Sequence, residues 1–379
     1  MQNSHPLALQ IGIQFGKGGE GRIITELFKH LPPAGVEVIG AVSGPDNVSS
    51  LTGGKVVSFF PEGGAKIARL RMTRLTLLRI LQEKKPDIIA SHFALYALPI
   101  INKLGTRPFV NHFHGPWGAE SVQEGAGVLA STAKTLVEKA IYRRADRVIV
   151  LSQAFFDLAV RDYGVRPENI RIVPGCVDIL RFRLSTNRIQ ARERLGLPLD
   201  RPILLSVRRL VRRMGLVDLL GALKQIQIKI PEVLLCIAGS GPLRDELERQ
   251  TDQLGLRNNV HFLGFVDDED LPYLYQAADM NVVPTTALEG FGLVAAEALA
   301  AGTPSMVTPV GGLPDVVAGL SADLIFRSTQ QNDLAEGLTS ALLGNTKLPS
   351  SEQCRQYASD HFSSTLMAER TAAVYKDLL

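Results

Sequence analysis

Short apolar runs alternate with helical patterns along almost the whole of this 379-residue chain. That alternation restricts the fold more than any single motif does. Seven runs fill the first half: ALQIGIQF (8–15), VEVIGAV (36–42), KVVSFF (55–60), DIIASH (87–92), PFVNHF (108–113), DRVIVLS (146–152) and IRIVP (170–174). Five more follow: PILLSV (202–207), VLLCIAG (233–239), VHFLGF (260–265), NVVPT (281–285) and PSMVTP (304–309). The runs lack polar alternation, as strands do when helices cover both faces of a parallel sheet. Helical patterns lie between them at 20–31, 65–83, 126–144 and 153–163. A chain of this length exceeds the size at which one core stops growing. The expectation is therefore α/β, with two doubly wound, Rossmann-like domains facing across a cleft. The polar stretch RFRLSTNRIQARER (181–194) reads as the linker, giving domains at 1–182 and 183–359. The last helical segment, about 360–379, is expected to pack back on the first domain. Ligands of such folds bind beyond the carboxyl ends of the strands, so the cleft is the expected site.

Charge and cysteine content narrow the function. The net charge is +3, but residues 1–180 carry 21 basic against 15 acidic residues and the remainder 20 against 23. This favours an anionic partner for the first half, and nucleic acid is not expected. Cys176, Cys236 and Cys354 are far apart and form no C-x-x-C, so neither a zinc site nor a disulfide framework is indicated. A reducing, cytoplasmic setting fits. The N-terminus has no signal-peptide pattern, and no run of about 18 apolar residues is present.

One charge stands out against its surroundings. In EGFGLVAAEALAAGTP (289–304), Glu297 sits in a run of Gly, Leu, Val and Ala that Gly302, Thr303 and Pro304 bring to an end. No rotation of that helix places Glu297 on a polar stripe. Burying an unpaired carboxylate costs several kcal/mol, so it needs donors. A buried salt bridge would supply them, and so would adjacent hydroxyls of a bound sugar. Glu289 lies on the loop before the helix, where Gly290 and Gly292 let the backbone approach a ligand. Around Phe291, the first-turn N–H groups near Gly292, Leu293 and Val294 form a ready anion site. A phosphate cradle beside two carboxylates describes a nucleotide sugar.

The E-x7-E spacing of this segment resembles the signature of retaining glycosyltransferases of the GT-B fold, especially glycosyltransferase family 4. Other stretches agree in order: GKGGEGR (16–22), HFHG (112–115), RADRVIVLS (144–152), ENIRIVPGCVDILRF (168–182), SVRRLVRRMGL (206–216), IAGSGPLRDELE (237–248), VHFLGFVDDEDLPYLYQAAD (260–279) and GTPSMVTPVGGLPDVV (302–317).

The resemblance implies roles. Glu297 would accept bonds from the nucleotide ribose, and Glu289 would contact the donor sugar near its reacting carbon. His114 matches the histidine that faces the sugar from the first domain, leaving His112 as a core histidine. Gly18 and Gly19 would line the cleft, and the base would be read near Val266. Arg209 matches the family arginine at the leaving diphosphate. The family lysine is replaced by Met214, which cannot bind phosphate, so Arg213 or Arg212 must substitute, with Arg213 preferred. No metal is part of the pattern, and Asp267, Asp268, Glu269 and Asp270 read as a helix start. The partners implied are a nucleotide sugar and a glycan, lipid-linked or small-molecule acceptor, with retention at the anomeric carbon.

Two rivals remain at this level. GKGGEG satisfies G-x-G-x-x-G, the dinucleotide fingerprint of a nicotinamide-dependent dehydrogenase, yet no acid stands at the end of the second strand. A non-catalytic nucleotide- or sugar-binding protein draws its weight from Met214. Separately, residues 64–85 combine seven Lys and Arg with leucines. A covering helix with a solvated basic face is the favoured reading; a peripheral contact with the inner, anionic face of a membrane is the alternative.

Overall fold

The computed structural model describes residues 5–16, 18–44, 47–59 and 66–379, without the side chains of residues 66 and 67. It divides into two compact units, Met1–Cys176 with Ser364–Leu379, and Val177–Ser363.

All twelve apolar runs contain strands. The first unit holds β1 (Leu7–Gly12), β2 (Glu37–Val42), β3 (Val56–Ser58), β4 (Ile88–Ser91), β5 (Phe109–Phe113), β6 (Arg147–Val150) and β7 (Ile170–Ile172), in the order β3-β2-β1-β4-β5-β6-β7. The second holds β8 (Ile203–Val207), β9 (Leu234–Ala238), β10 (Val260–Gly264), β11 (Met280–Val283) and β12 (Ser305–Val307), in the order β10-β9-β8-β11-β12. Every pairing is parallel. β5 and β9 are buried along their whole length, which explains why their sequences show no polar alternation. In each unit the strand order reverses beside the first strand, β1 or β8. Such a topological switch point places a crevice at the carboxyl ends of β1 and β4, and another at those of β8 and β11.

The final helix, Ser364–Lys376, packs on the first unit, where Met367, Ala368, Ala372 and Tyr375 join a core with Ala8, Leu27, Val36 and Ile149. The helix Lys66–Glu83 buries Leu77, Ile80 and Leu81 in the same unit and exposes Arg71, Met72, Leu75 and Arg79. It is thus a covering helix; Gly64 and Ala65 lie outside the described residues. Among the described residues no helix is long and apolar enough to cross a membrane.

The polar stretch 181–194 is not a free linker. Asp178 caps a short helix, Ile179–Phe182, and Asn187 with Gln190 forms a capping box on the helix Arg188–Leu195. Arg188 and Arg192 both pair with Asp279 at 2.7 Å, which ties the stretch to β11. Nothing local marks this, because the acceptor Asp279 lies about ninety residues away. The units meet instead at 176/177, where Val177 N donates to Phe362 O at 2.8 Å inside the second unit.

Candidate functional site

In the second unit the candidate residues lie on the loops after β8 and β11. Glu289 lies on the β11 loop, and its backbone carbonyl accepts from Gly312 N at 2.9 Å. Leu288, just before it, has a φ of 56°. That left-handed conformation is costly for a leucine and persists only where surroundings enforce it. Arg213 supplies part of that enforcement: it is buried, and its Nη1 donates to Leu288 O at 3.0 Å. At Gly215 (φ 74°) a Cβ would lie 1.8 Å from Pro284 O, so the β8 loop presses directly against the β11 loop.

Arg208 was not singled out in the sequence. It is 8% exposed, and its Nη2 donates to Thr285 Oγ1 and, at 2.5 Å, to Glu289 Oε2. Its Nε is buried and has no hydrogen-bond partner among the described residues. The signal was present in the doublet: of two successive arginines ending a buried strand, one must face inward. Arg209, the residue matched by the resemblance, is exposed, and Arg212 is exposed and held by Glu246 at 2.9 Å. Of the two candidates to replace the lysine missing at Met214, only Arg213 lies against the Glu289 loop.

The helix after the loop is Leu293–Ala301. Gly292 caps it with φ 95°, where any larger residue would be strained and its Cβ, 2.4 Å from Leu313 Cδ2, would displace that side chain. Gly290 and Phe291 are buried, whereas Leu293 and Val294 are partly exposed, leaving the first turn approachable. Glu297 is 5% exposed, and the Tyr275 hydroxyl donates to its Oε2 at 2.9 Å. Val266 is half-buried beside Phe265, whose ring is 78% exposed.

In the first unit, Gly18 and Gly19 are exposed at the start of the helix Gly18–His30, directly after β1; Lys17 lies outside the described residues. Glu20 in the same turn accepts from Ile13 N at 2.7 Å. Burial pushes its carboxyl up to about 8 against the lesser opposing effect of that N–H. His114 follows β5, and its Nε2 lies 2.8 Å from Nδ1 of His92, which follows β4. His112, within β5, bonds the Tyr375 hydroxyl at 2.8 Å. Burial lowers His114 to about 4 and holds His92 and His112 well below their ordinary value. All three imidazoles are neutral at neutral pH. His92 escaped notice because it belongs to a different strand from the HFHG motif. All three cysteine thiols are buried, and burial pushes Cys236 and Cys354 up to about 12, away from thiolate reactivity.

The Glu20 carboxyl has a measurable consequence. Its folded-state value lies above the unfolded one, so its stabilising contribution is complete below about 4.5 and is lost as pH rises towards about 8. Glu20→Gln keeps the acceptor for Ile13 N. The variant is expected to gain on the wild type by up to about 1.4 kcal/mol per pH unit between pH 5 and 8. Urea unfolding of both proteins across that range checks this; a pH-independent difference would contradict it.

Comparison with known proteins agrees with this geometry. The family description Glycosyltransferase Family 4 matches residues 17–181, and Glycosyl transferases group 1 matches residues 187–361. An uncharacterized glycosyltransferase of Methanocaldococcus jannaschii is 30% identical over 247 residues, 63% of this chain and 62% of that protein. A D-inositol 3-phosphate glycosyltransferase of Corynebacterium jeikeium is 32% identical over 256 residues, 65% of this chain and 61% of that one. The chain thus spans about three fifths of the length of these relatives. The structure of HepE from Anabaena in complex with UDP-glucose superposes with a TM-score of 0.80 at 21% identity, over 98% of this chain and 100% of that one. Two parallel α/β units, a group 1 match over the second and a family 4 match over the first lead to one assignment: the chain belongs to the GT-B fold glycosyltransferases of family 4, group 1.

Proposed function

We propose that this protein is a retaining glycosyltransferase that moves a hexosyl group from a nucleoside-diphosphate sugar to an acceptor, with no metal ion taking part. The observation that carries the reading is the set Arg208, Arg213 and Glu289 held together on the loop that leads into the helix Leu293–Ala301. Two buried guanidinium groups beside a helix N-terminus suit a diphosphate, and the unused Nε–H of Arg208 is a donor that such an anion would satisfy. Glu297, four residues into that helix, would take the ribose hydroxyls, and Glu289 the sugar near its anomeric carbon. His114 would accept a hydrogen bond from a sugar hydroxyl. Arg208 takes the part of the missing lysine, with Arg213 holding the loop and Arg209 at the rim. Gly18 and Gly19 would line the space for the acceptor or the phosphates.

The reaction breaks the bond between the anomeric carbon and the leaving phosphate oxygen. The acceptor oxygen bonds to that carbon on the same face and passes its proton to the leaving phosphate. Positioning and stabilisation of the phosphate then do most of the catalysis. HepE holds UDP-glucose, which makes uridine diphosphate sugars the first donors to try. The acceptor, whether glycan, lipid-linked or small-molecule, and peripheral contact of the helix Lys66–Glu83 with anionic lipid belong to the same proposal. The product's anomeric configuration tests the mechanism: proton NMR of a reaction with an α-linked donor should show an α-linked product, and a β-linked product would refute retention.

A further inference from the structure

The three histidines of the first unit belong to a longer buried chain. Gln10 in β1 and Tyr375 in the C-terminal helix are both fully buried, and His92 is 3% exposed. His92 Nε2 lies 2.8 Å from Gln10 Oε1, Gln10 Nε2 donates to the Tyr375 hydroxyl at 3.1 Å, and that hydroxyl lies 2.8 Å from His112 Nε2. With the 2.8 Å contact between His92 Nδ1 and His114 Nε2, the sequence of contacts runs from His114 to the C-terminal helix. It joins β1, β4 and β5 to a residue more than 260 positions further along the chain.

The protons of this chain can be assigned. An amide oxygen only accepts, so His92 Nε2 carries the hydrogen donated to Gln10. His92 is neutral, so its Nδ1 has a lone pair and accepts from His114 Nε2–H. His114, also neutral, is then left with a bare Nδ1 that accepts and does not donate. The Gln10 amide decides this direction, because a flipped amide would reverse every proton up to His114. In this orientation the Tyr375 hydroxyl accepts from Gln10 Nε2 at 3.1 Å and gives its own hydrogen to the nearer acceptor, His112 Nε2 at 2.8 Å, with Gln10 Oε1 further away at 3.4 Å.

A metal site is the other reading of three clustered histidines, whose nitrogens lie within 4.8 Å of one another. The ring planes argue against it. The His92 and His112 rings stack at 19° with their in-plane lone pairs side by side, and the facing nitrogens of His92 and His114, 2.8 Å apart, share a hydrogen and not an ion. Both His92 nitrogens are also committed to hydrogen bonds.

We infer that Gln10 and Tyr375 are positioning residues that fix the ring and tautomer of His114 through His92. The inference rests on the reading of His114 as the histidine facing the transferred sugar. It gives the C-terminal helix a part in the active site that neither its distance in sequence nor its covering role reveals.

Long-range proton–nitrogen NMR of the 15N-histidine-labelled protein at pH 7.5 tests it, with His114 assigned by comparison with His114→Asn. The wild type should show His114 protonated at Nε2 and bare at Nδ1. Gln10→Met removes the acceptor at nearly constant volume and should give mixed tautomers; Tyr375→Phe, which keeps the packing, should shift them the same way to a smaller extent. Both variants should lower kcat about 10-fold, with nucleotide affinity unchanged because the nucleotide groups belong to the second unit. A wild-type His114 protonated at Nδ1, or stoichiometric zinc in the purified protein, would overturn the inference. So would two folded variants with the wild-type tautomer, or a tautomer that moves with kcat unchanged. A His114→Asn protein of undiminished turnover would instead overturn the sugar-facing reading and leave the hydrogen-bonded chain standing.

Discussion

Arg208→Met is expected to lower kcat by about 10²- to 10³-fold, while Arg212→Met stays within about twofold of the wild type. The contrast follows from burial and partners. Arg208 is buried against Thr285 and Glu289, where water does not screen its charge. A charge that stabilises a leaving diphosphate from such a position is worth far more than one in solvent. Arg212 is 66% exposed at its side chain and paired with Glu246, which makes it an ordinary surface ion pair. The Arg208 variant also leaves Glu289 without its cation, so a stability loss of about 1–3 kcal/mol is expected alongside the kinetic one. Steady-state rates with saturating donor, and urea unfolding of each variant, separate the two effects. Equal activity in the two variants would remove Arg208 from the site.

Glu297→Leu should raise the donor KM about 100-fold with little loss of stability. A carboxylate that accepts from two ribose hydroxyls contributes about 1.5–3 kcal/mol per bond. Losing roughly 3 kcal/mol corresponds to about 100-fold in affinity. Leucine fills a similar volume among Ala, Leu and Val residues, and replacing a buried charge by an apolar group is often neutral or stabilising. One structural loss is the acceptor of the Tyr275 hydroxyl, a cost of about 1 kcal/mol. Thermal melting and donor titration measured on the same preparation check both halves. A variant that melts far below the wild type would show Glu297 to be chiefly a structural residue.

The twelve strands were legible because a parallel strand covered on both faces is a bare apolar run. Less legible was whatever depends on a distant partner. The helix Trp117–Gln123 has no apolar periodicity; the buried Glu138 carboxylate accepts from Trp117 N at 2.7 Å and Gly118 N at 3.0 Å and anchors its start. His92 and Gln10 look like isolated polar residues until β1, β4 and β5 are known to be neighbours. Arg208 is hidden in a run of four arginines, and its partner Glu289 lies 81 residues on. The E-x7-E segment was readable because its evidence is local: Glu289, the glycines, the helix start and Glu297 all fall within nine residues.

The central claim is that the second unit is a nucleotide-sugar site with Glu297 as a ligand. Ligand-observed NMR of the purified protein against UDP-, GDP- and ADP-sugars and NAD, repeated with Glu297→Leu, tests it most directly. Saturation transfer to one nucleotide sugar is expected, strongly reduced in the variant, with none to NAD. Equal binding by the wild type and the variant, or no response to any nucleotide sugar, would contradict it.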